Sequence, residues 1–130
     1  MTQEKIKEGN KLIACFDGWE HSGKGGNLSN YYYKDNGKNQ SHSDDFEYNS
    51  SWDWLMPVVE RIEDLNGGSH NVEIKRGMRG HQKKYVCEIY SATEFPELVK
   101  FESDNSKLET LFTTVVMFLK VYNKLKSKNG

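Results

Sequence analysis

The strongest periodic signal in this sequence is a broad apolar stripe near its C-terminal end. Apolar side chains recur there at three- and four-residue spacing from Leu108 to Leu125, which predicts a long helix with one buried face. Ser106 and Glu109 have the spacing of a capping box, so the helix is expected to begin just after Ser106. Such a helix needs other elements to cover its apolar face.

A second helix is predicted over residues 50–65, where apolar residues again recur at helical spacing. The Asn-Gly-Gly run at residues 66–68 ends it, because these residues adopt positive φ readily. Pro57 lies inside the pattern. Since proline removes a backbone donor, we expect either a kink there or a restart with Pro57 at the first helical position.

Trp52 and Trp54 lie about 200° apart around the axis of this helix, so they cannot face the same core. Two interpretations stay open for the second ring. It covers the other helices or the polar segment that precedes this helix, or it is an exposed anchor at an interface.

A shorter helix is predicted over residues 12–16, with Asn10 as its N-cap and Gly18 as its stop. The Gly9-Asn10 step interrupts the preceding residues. The pattern therefore leaves open whether residues 2–9 extend this helix.

Two segments, residues 71–76 and 83–90, alternate apolar and polar side chains, which predicts an antiparallel pair joined through residues 77–81. A third strand is expected at residues 98–101. Three helices with a small antiparallel sheet of two to four strands define an α+β class, and the length suits a single domain over residues 1–130.

One hydrophobic core is expected to draw on the apolar positions of all these elements. Its predicted members are Leu12, Phe16, Leu55, Val59, Ile62, Val72, Ile74, Cys87, Ile89, Leu111, Val115, Phe118 and Leu119.

Residues 20–49 form an insert that is rich in Gly, Asn, Ser and Tyr. A structureless loop of this length is unusual in a compact domain, so we predict a hairpin of a tyrosine strand and an Asp-Asn-Gly turn at residues 35–37. Successive strand residues point to opposite faces, so some of the rings are exposed and available for recognition. Changes in the insert are expected to be nearly neutral for stability. The candidate contact residues are Tyr31, Tyr32 and Tyr33.

The charge balance excludes a polycationic DNA-binding chain. Eighteen basic and nineteen acidic residues give a net charge of -1, although residues 1–66 carry -5 and residues 67–130 carry +4. No apolar run reaches the roughly 18 residues that a membrane span needs, and the first residues are too charged for a signal peptide. We therefore expect a protein of the cytoplasm that does not contact a membrane.

No pattern in the sequence indicates catalysis or metal binding. Cys15 and Cys87 lie in apolar stretches without C-x-x-C spacing, so both are expected to be reduced and buried. The histidines lack the close ligand pairs of a zinc site and are expected at the surface, and no G-x-S-x-G elbow is present. We expect no enzymatic activity, no cofactor and no metal. The histidines are His21, His42, His70 and His81.

The sharpest outward-facing feature is a basic cluster at the predicted hairpin, within residues 75–84 and without an acidic residue. Such a cluster is suited to the phosphates of RNA or DNA, or to an acidic protein groove, through charge-assisted contacts. A solvated turn without a partner accounts for it equally well. Its members are Lys75, Arg76, Arg79, His81, Lys83 and Lys84.

Three segments carry a resemblance to a known family: residues 10–19, residues 48–63 with the run Ser-Trp-Asp-Trp-Leu-Met-Pro-Val-Val-Glu, and residues 106–123. They resemble the phage ABA sandwich domain family of small phage and prophage proteins. The resemblance implies an α/β/α-type sandwich and a setting in phage infection, and it implies no activity. The insert and residues 95–97 depart from the family pattern. We therefore expect that any partner-binding surface in these two segments is specific to this chain and not shared by the family.

These observations favour a small, non-enzymatic phage accessory protein in the cytoplasm of the infected bacterium. We expect it to inhibit a host antiviral defence, of the anti-CRISPR type, by binding the effector protein or its guide RNA. The alternative is a structural or regulatory phage protein that self-associates or assists replication without a defence target. The sequence gives no prediction of oligomeric state.

Overall fold

Helices and two antiparallel sheets make up the part of the chain that the structure describes. The computed structural model describes residues 1–21, 30–79, 82–91, 99–103 and 105–129. In chain order the elements are α1 (Gln3–Phe16), β1 (Glu20–His21), β2 (Tyr31–Lys34), β3 (Asn39–His42), a 3-10 turn (Ser43–Asp45), α2 (Trp52–Glu63), α3 (Leu65–Gly68), β4 (His70–Arg79), β5 (Gln82–Ser91), β6 (Val99–Ser103) and α4 (Lys107–Asn129).

The α+β class is confirmed, but the element counts differ from the prediction. Within the described residues there are two three-stranded sheets where one sheet of two to four strands was expected. The short α3 also adds a fourth helical element to the predicted three. None of the described helices is long and apolar enough to cross a membrane.

α4 begins where the capping box predicts. The Glu109 backbone N–H donates to the Ser106 hydroxyl at 3.1 Å, and the helix then runs for 23 residues. Two threonines lie buried on it. Thr110 donates its hydroxyl to the Ser106 carbonyl at 2.9 Å, and Thr114 donates to the Thr110 carbonyl at 2.8 Å. The packed face therefore contains polar residues whose hydroxyls are satisfied within the helix.

α1 is longer than predicted, because it begins at Gln3. Thr2 is its N-cap, and the Thr2 hydroxyl accepts a backbone N–H of the first turn at 3.2 Å. The prediction that Asn10 caps this helix is wrong. Asn10 lies buried in the middle of α1, and its side-chain amide donates to Asn49 at 2.9 Å. Gly18, at φ 100°, follows the end of the helix as expected.

The Gly9-Asn10 step interrupts the helical pattern in the sequence because α1 approaches α4 there. A Cβ atom on Gly9 would lie 2.8 Å from Phe112 and 2.9 Å from Val116. The close approach of the two helices requires a glycine at this position, and the helix itself does not break.

α2 begins at Trp52, with Ser51 as its N-cap residue, and runs through Pro57 without ending. The predicted restart at Pro57 is therefore wrong, since the residues before the proline are already helical. The predicted end is only approximate: α2 ends at Glu63, and the Asn-Gly-Gly run lies in the short α3, where Asn66 and Gly67 adopt positive φ of 52° and 74°.

β4, β5 and β6 form an antiparallel sheet in that order. Pairing of β4 with β5 continues to Arg79 and Gln82. The prediction that residues 77–81 form the connection is therefore wrong for its first three positions, and its last two lie outside the described residues. β6 pairs with β5 over residues 85–89, which confirms the third strand.

This sheet has one face toward the core and one charged face. The inner face includes two neighbouring cross-strand pairs, Val72 with Ile89 and Ile74 with Cys87, and the buried Val99 of β6 lies opposite Ile89. α4 packs against β5 and β6, and α2 packs against β4. Glu73 lies between the two inner positions of β4, so its side chain is on the outer face.

The hairpin predicted in the insert is confirmed as β2 and β3. Asp35, Asn36 and Gly37 adopt φ of 58°, 59° and 86°, the left-handed conformations that a tight hairpin turn requires. β1 adds a short antiparallel strand on the other side of β2. Residues 22–29 of the insert lie outside the described part of the chain.

The insert also supplies three buried aromatic residues. Tyr32, Phe46 and Tyr48 are 5%, 3% and 0% exposed, and the Phe46 ring lies within 6.4 Å of the Trp54 ring on α2. The Tyr48 hydroxyl donates to Asp17 at 2.7 Å, and burial together with this hydrogen bond raises the pKa of Tyr48. Because these side chains belong to the core, we expect changes at these positions to lower stability, in contrast to the near-neutral effect predicted for the insert.

All thirteen predicted core residues lie in the core or pack against it. Nine of them are buried, and Leu12, Phe16, Val72 and Ile74 are partly buried. Among the described residues, the buried apolar ones that the prediction missed are Ile13, Ala14, Tyr32, Phe46, Tyr48, Val58, Val99, Phe112 and Val116.

Candidate functional site

The basic cluster lies on a two-stranded extension of the β4–β5 hairpin. Within the described residues β6 pairs with β5 over residues 85–89, whereas residues 82–84 of β5 pair with β4 and not with β6. We name residues 75–79 with 82–84 the basic arm. Gly77 lies opposite Lys84 in the arm, and a Cβ atom on Gly77 would meet nothing within 4 Å among the described atoms. The arm is therefore open to solvent at this point.

The described cations of the arm occupy both of its faces. Lys75 is exposed and shares the outer face with Lys84, because the two positions have the same parity in the β4–β5 register. Arg76 is exposed on the opposite face, across from Tyr85. A partner that contacts both faces of the ribbon would meet positive charge on each of them.

Two further cations of the cluster belong to the paired backbone of the arm. Arg79 pairs with Gln82 and Lys83 pairs with Met78, while their side chains lie outside what the structure describes. His81 also lies outside the described residues.

One acidic residue, Glu73, lies on the same sheet face as Lys75 and pairs with it. Lys75 forms an ion pair with Glu73 at 3.7 Å, in which the lysine side chain is 72% exposed. Such an exposed pair is screened by water and weak, so Lys75 stays available to a partner. The Tyr90 hydroxyl donates to the same Glu73 carboxylate at 3.0 Å, and this hydrogen bond raises the pKa of Tyr90.

The three candidate tyrosines do not act as one surface. Tyr32 lies in the core against Phe46, so its ring is not available to a partner. Tyr31 is half-buried and lies edge-on to His42, with ring centroids 5.2 Å apart. Tyr33 is half-buried and lines a shallow depression of about 130 Å³. These residues belong to the sheet of β1, β2 and β3, whereas the arm belongs to the other sheet.

The two cysteines differ in burial, and one of the histidines is buried as well. Cys87 is buried, which raises the pKa of its thiol to about 11 and keeps it unreactive at neutral pH. The prediction that Cys15 is also buried is wrong, because Cys15 is exposed at the end of α1. His70 is 2% exposed and packs edge-on against Phe118, so its surface placement is wrong too. The described residues contain no cluster of three metal-ligating side chains.

Of two further features, the sequence predicts one only in part and does not reveal the other. Trp52 and Met56 are 41% and 40% exposed, and their four-residue spacing puts them on the same face of α2. Trp52 is thus the exposed ring of the tryptophan pair and its role as an interface anchor stays a prediction, while Trp54 covers the insert, with its ring centroid 5.2 Å from that of Tyr48. The second is a cavity among the helices, whose lining residues come from distant segments and leave no local pattern.

Comparisons with family models, with curated proteins and with solved structures find no match to this chain. The resemblance to the phage ABA sandwich domain family therefore stays a prediction.

Proposed function

We propose that this protein acts by binding, and that the basic arm is its principal contact surface. The single observation that carries the proposal is the placement of Lys75, Arg76 and Lys84 on an open ribbon beyond β6. A flat sheet surface presents charge in one direction. A two-stranded ribbon presents it on two faces and fits into a groove of a nucleic acid or of a protein.

The proposed target is a host antiviral defence complex, of the CRISPR effector type, in the cytoplasm of a phage-infected bacterium. The phage setting rests on the sequence resemblance, and so does the finer fold proposal of an α/β/α-type sandwich, which needs a further layer over the outer face of β4–β6. A guide-RNA complex offers both phosphates and charged protein grooves. Either would attract a cationic ribbon through charge-assisted hydrogen bonds.

Capture from cells tests this proposal directly. The tagged protein is used to pull down partners from infected or CRISPR-bearing cells, and both protein and RNA are identified. We expect one stoichiometric complex, which the fourfold variant with alanine at Arg76, Arg79, Lys83 and Lys84 fails to capture. Recovery of the same complex by the variant at wild-type yield would refute the role of the arm.

A matched variant controls for the loss of charge. Lys5, Lys107, Lys120 and Lys124 are exposed on helices away from the arm, and replacing all four by alanine removes the same charge. This control should retain capture. Nuclease treatment then separates the two kinds of contact, because a complex held through RNA phosphates dissociates and one held by an acidic protein groove persists.

The exposed Trp52 and Met56 favour a second candidate, a structural or regulatory phage protein that self-associates. Aromatic and methionine side chains are enriched at interfaces, and both are exposed on one face of α2. Sedimentation of the wild-type protein and of Trp52→Ala distinguishes the two functions. A concentration-dependent dimer that Trp52→Ala abolishes, together with no captured host complex, would favour self-association.

A further inference from the structure

A cavity of about 320 Å³ lies where the end of α1 meets α2, α3 and the last turns of α4. The Phe16 and Tyr122 rings line it and meet edge-on, with their centroids 6.1 Å apart. Leu12 and Leu65 add further apolar lining from α1 and α3. Small-ligand sites in proteins begin at roughly 300 Å³, so the cavity is large enough for a small organic molecule. It belongs to neither the basic arm nor the Trp52 side of α2.

Two cationic groups of this cavity are held over its aromatic rings. The Arg61 guanidinium of α2 lies over the Phe16 ring, with its central carbon 5.7 Å from the ring centroid. The Lys126 ammonium of α4 lies over the Tyr122 ring at 6.0 Å. Both cations and both rings line the cavity. The distances therefore place the two charged groups at the cavity wall, where a ligand can reach them.

The positive charge of the cavity is not neutralised by its surroundings. Arg61 pairs with Asp17 at 3.8 Å, which is longer than a hydrogen bond, and the arginine side chain is 53% exposed. No carboxylate pairs with Lys126 within the part of the chain that the structure describes. None of the described lining residues is acidic. The cavity thus combines an apolar floor with two cations that keep donors available.

From these features we infer that the cavity binds an organic oxyanion, a carboxylate or phosphate group carried on an apolar body. The oxyanion accepts charge-assisted hydrogen bonds from Arg61 and Lys126. The apolar body packs on Phe16, Tyr122 and Leu65. A cationic ligand is repelled by the two charges, and a neutral apolar ligand forms no charge-assisted contact with either of them.

Probes of matched shape test the charge and the apolar body separately. The anion 2-naphthoate and the neutral 2-naphthamide have nearly the same shape. In a ¹H–¹⁵N NMR titration at about 0.15 M salt, which screens charges more than about 8 Å away, 2-naphthoate should shift the Asn123 side-chain amide and the Cys15 backbone amide in a saturable manner. The neutral probe should bind at least about fivefold more weakly, because it lacks the charge interaction. Acetate should bind at least about tenfold more weakly, because it lacks the apolar body.

A phosphate probe identifies the preferred oxyanion. Tighter binding of 2-naphthyl phosphate than of 2-naphthoate indicates a phosphate ligand, and weaker binding indicates a carboxylate ligand. Equal binding of 2-naphthoate and 2-naphthamide would overturn the inference. So would the absence of a saturable shift with both oxyanions.

The Cys15 thiol reports directly on occupancy of the cavity. Cys15 lines the cavity and is exposed, whereas Cys87 is buried. In the folded protein the neutral reagent iodoacetamide should therefore modify Cys15 and spare Cys87. We expect 2-naphthoate to slow this alkylation with the same half-saturation concentration as the NMR shifts. An unchanged rate at saturating 2-naphthoate would show that the ligand binds elsewhere, and it would contradict the proposed site.

Charge variants with a matched control locate the contacts. Arg61→Gln and Lys126→Gln should each weaken 2-naphthoate binding about fivefold, since each removes one charge interaction at about 4 Å in water. Lys126→Arg keeps the charge and should retain most of the affinity. Lys120→Gln with Lys124→Gln removes two exposed cations of α4 that do not line this cavity, so it should leave the affinity unchanged. Equal affinities of Arg61→Gln, Lys126→Gln and this control would refute the inference without touching the basic arm, whose test is capture of a complex.

Discussion

The insert and the basic arm are both polar stretches in the sequence, yet the structure uses them in opposite ways. The insert turns Tyr32, Phe46 and Tyr48 inward, and these rings fill the space beside α1 and α2. The arm keeps its described cations at the surface and extends beyond the edge of its sheet. The average polarity of the two segments therefore does not show that the insert stabilises the fold, whereas the arm is exposed and available to a partner.

The two segments differ in the non-polar residues that lie between their polar residues, and this difference explains why one is buried and the other exposed. Aromatic side chains bury a large area each, so a few of them anchor a long polar stretch to the core. The arm residues beyond Lys75 whose side chains the structure describes are Arg76, Gly77 and Lys84, and none of these is a large apolar residue. Packing the arm against the core would therefore bury little apolar surface, and it would remove water from the charged groups at a cost in free energy, so these groups stay hydrated.

The largest effect is expected from truncating an anchor of the insert. Phe46→Ala removes a buried ring that contacts Trp19, Tyr32 and Trp54, and it should lower the free energy of unfolding by about 3–5 kcal/mol. Urea denaturation followed by fluorescence measures this change. Lys38→Ala in the exposed hairpin turn of the same insert serves as the control and should change stability by less than about 0.5 kcal/mol. A Phe46→Ala protein as stable as the control would show that the insert is not part of the core.

A pair of glycines compares close packing with open space. Gly9→Ala places a methyl group against Phe112 and Val116, and overpacking of this kind costs about 1–3 kcal/mol. Gly77→Ala in the arm meets no neighbour and should be neutral or stabilising by up to about 1 kcal/mol. Thermal melts of both variants check the difference in sign. Equal destabilisation by the two changes would contradict the described approach of α1 to α4.

The sequence predicted most of the fold because the periodic signals of α2, α4 and the β4–β5–β6 sheet are local. It failed where a long-range contact decides. Gly9-Asn10 looked like a helix interruption, since nothing near it in the chain reveals Phe112 as its neighbour. The basic cluster was found because charge is visible in composition, whereas the cavity of Arg61 and Lys126 joins residues that are far apart in sequence.

The buried thiol gives a smaller, pH-dependent effect. The pKa of Cys87 is raised to about 11 from the ordinary value of 9.0, chiefly by burial, so the folded protein keeps this proton longer than the unfolded chain does. The unfolded state binds fewer protons between these values, and stability must fall as pH rises through that window. We expect a loss of about 1 kcal/mol from this group by pH 10. Cys87→Ala should show a correspondingly shallower decline, and an unchanged pH profile would contradict the burial of the thiol.

The smallest effect on stability is expected in the arm. Alanine at Arg76, Arg79, Lys83 and Lys84 removes surface charges and should alter the free energy of unfolding by no more than about 0.5 kcal/mol. Differential scanning calorimetry measures it beside Phe46→Ala. A decrease as large as that of Phe46→Ala would remove the distinction between the two regions.

The most direct test of the arm as the binding surface measures the affinity of the purified protein for the captured complex over a series of salt concentrations. For the fourfold arm variant we predict an unchanged Tm, a weaker affinity, and a flatter slope of log affinity against log salt. The slope should flatten by up to about 0.7–0.9 for each phosphate that the variant no longer neutralises. If the arm occupies an acidic protein groove, affinity and association rate still fall, and nuclease treatment leaves binding unaffected. A folded variant with wild-type affinity and slope would contradict this role of the arm and transfer the binding surface to Tyr31 and Tyr33.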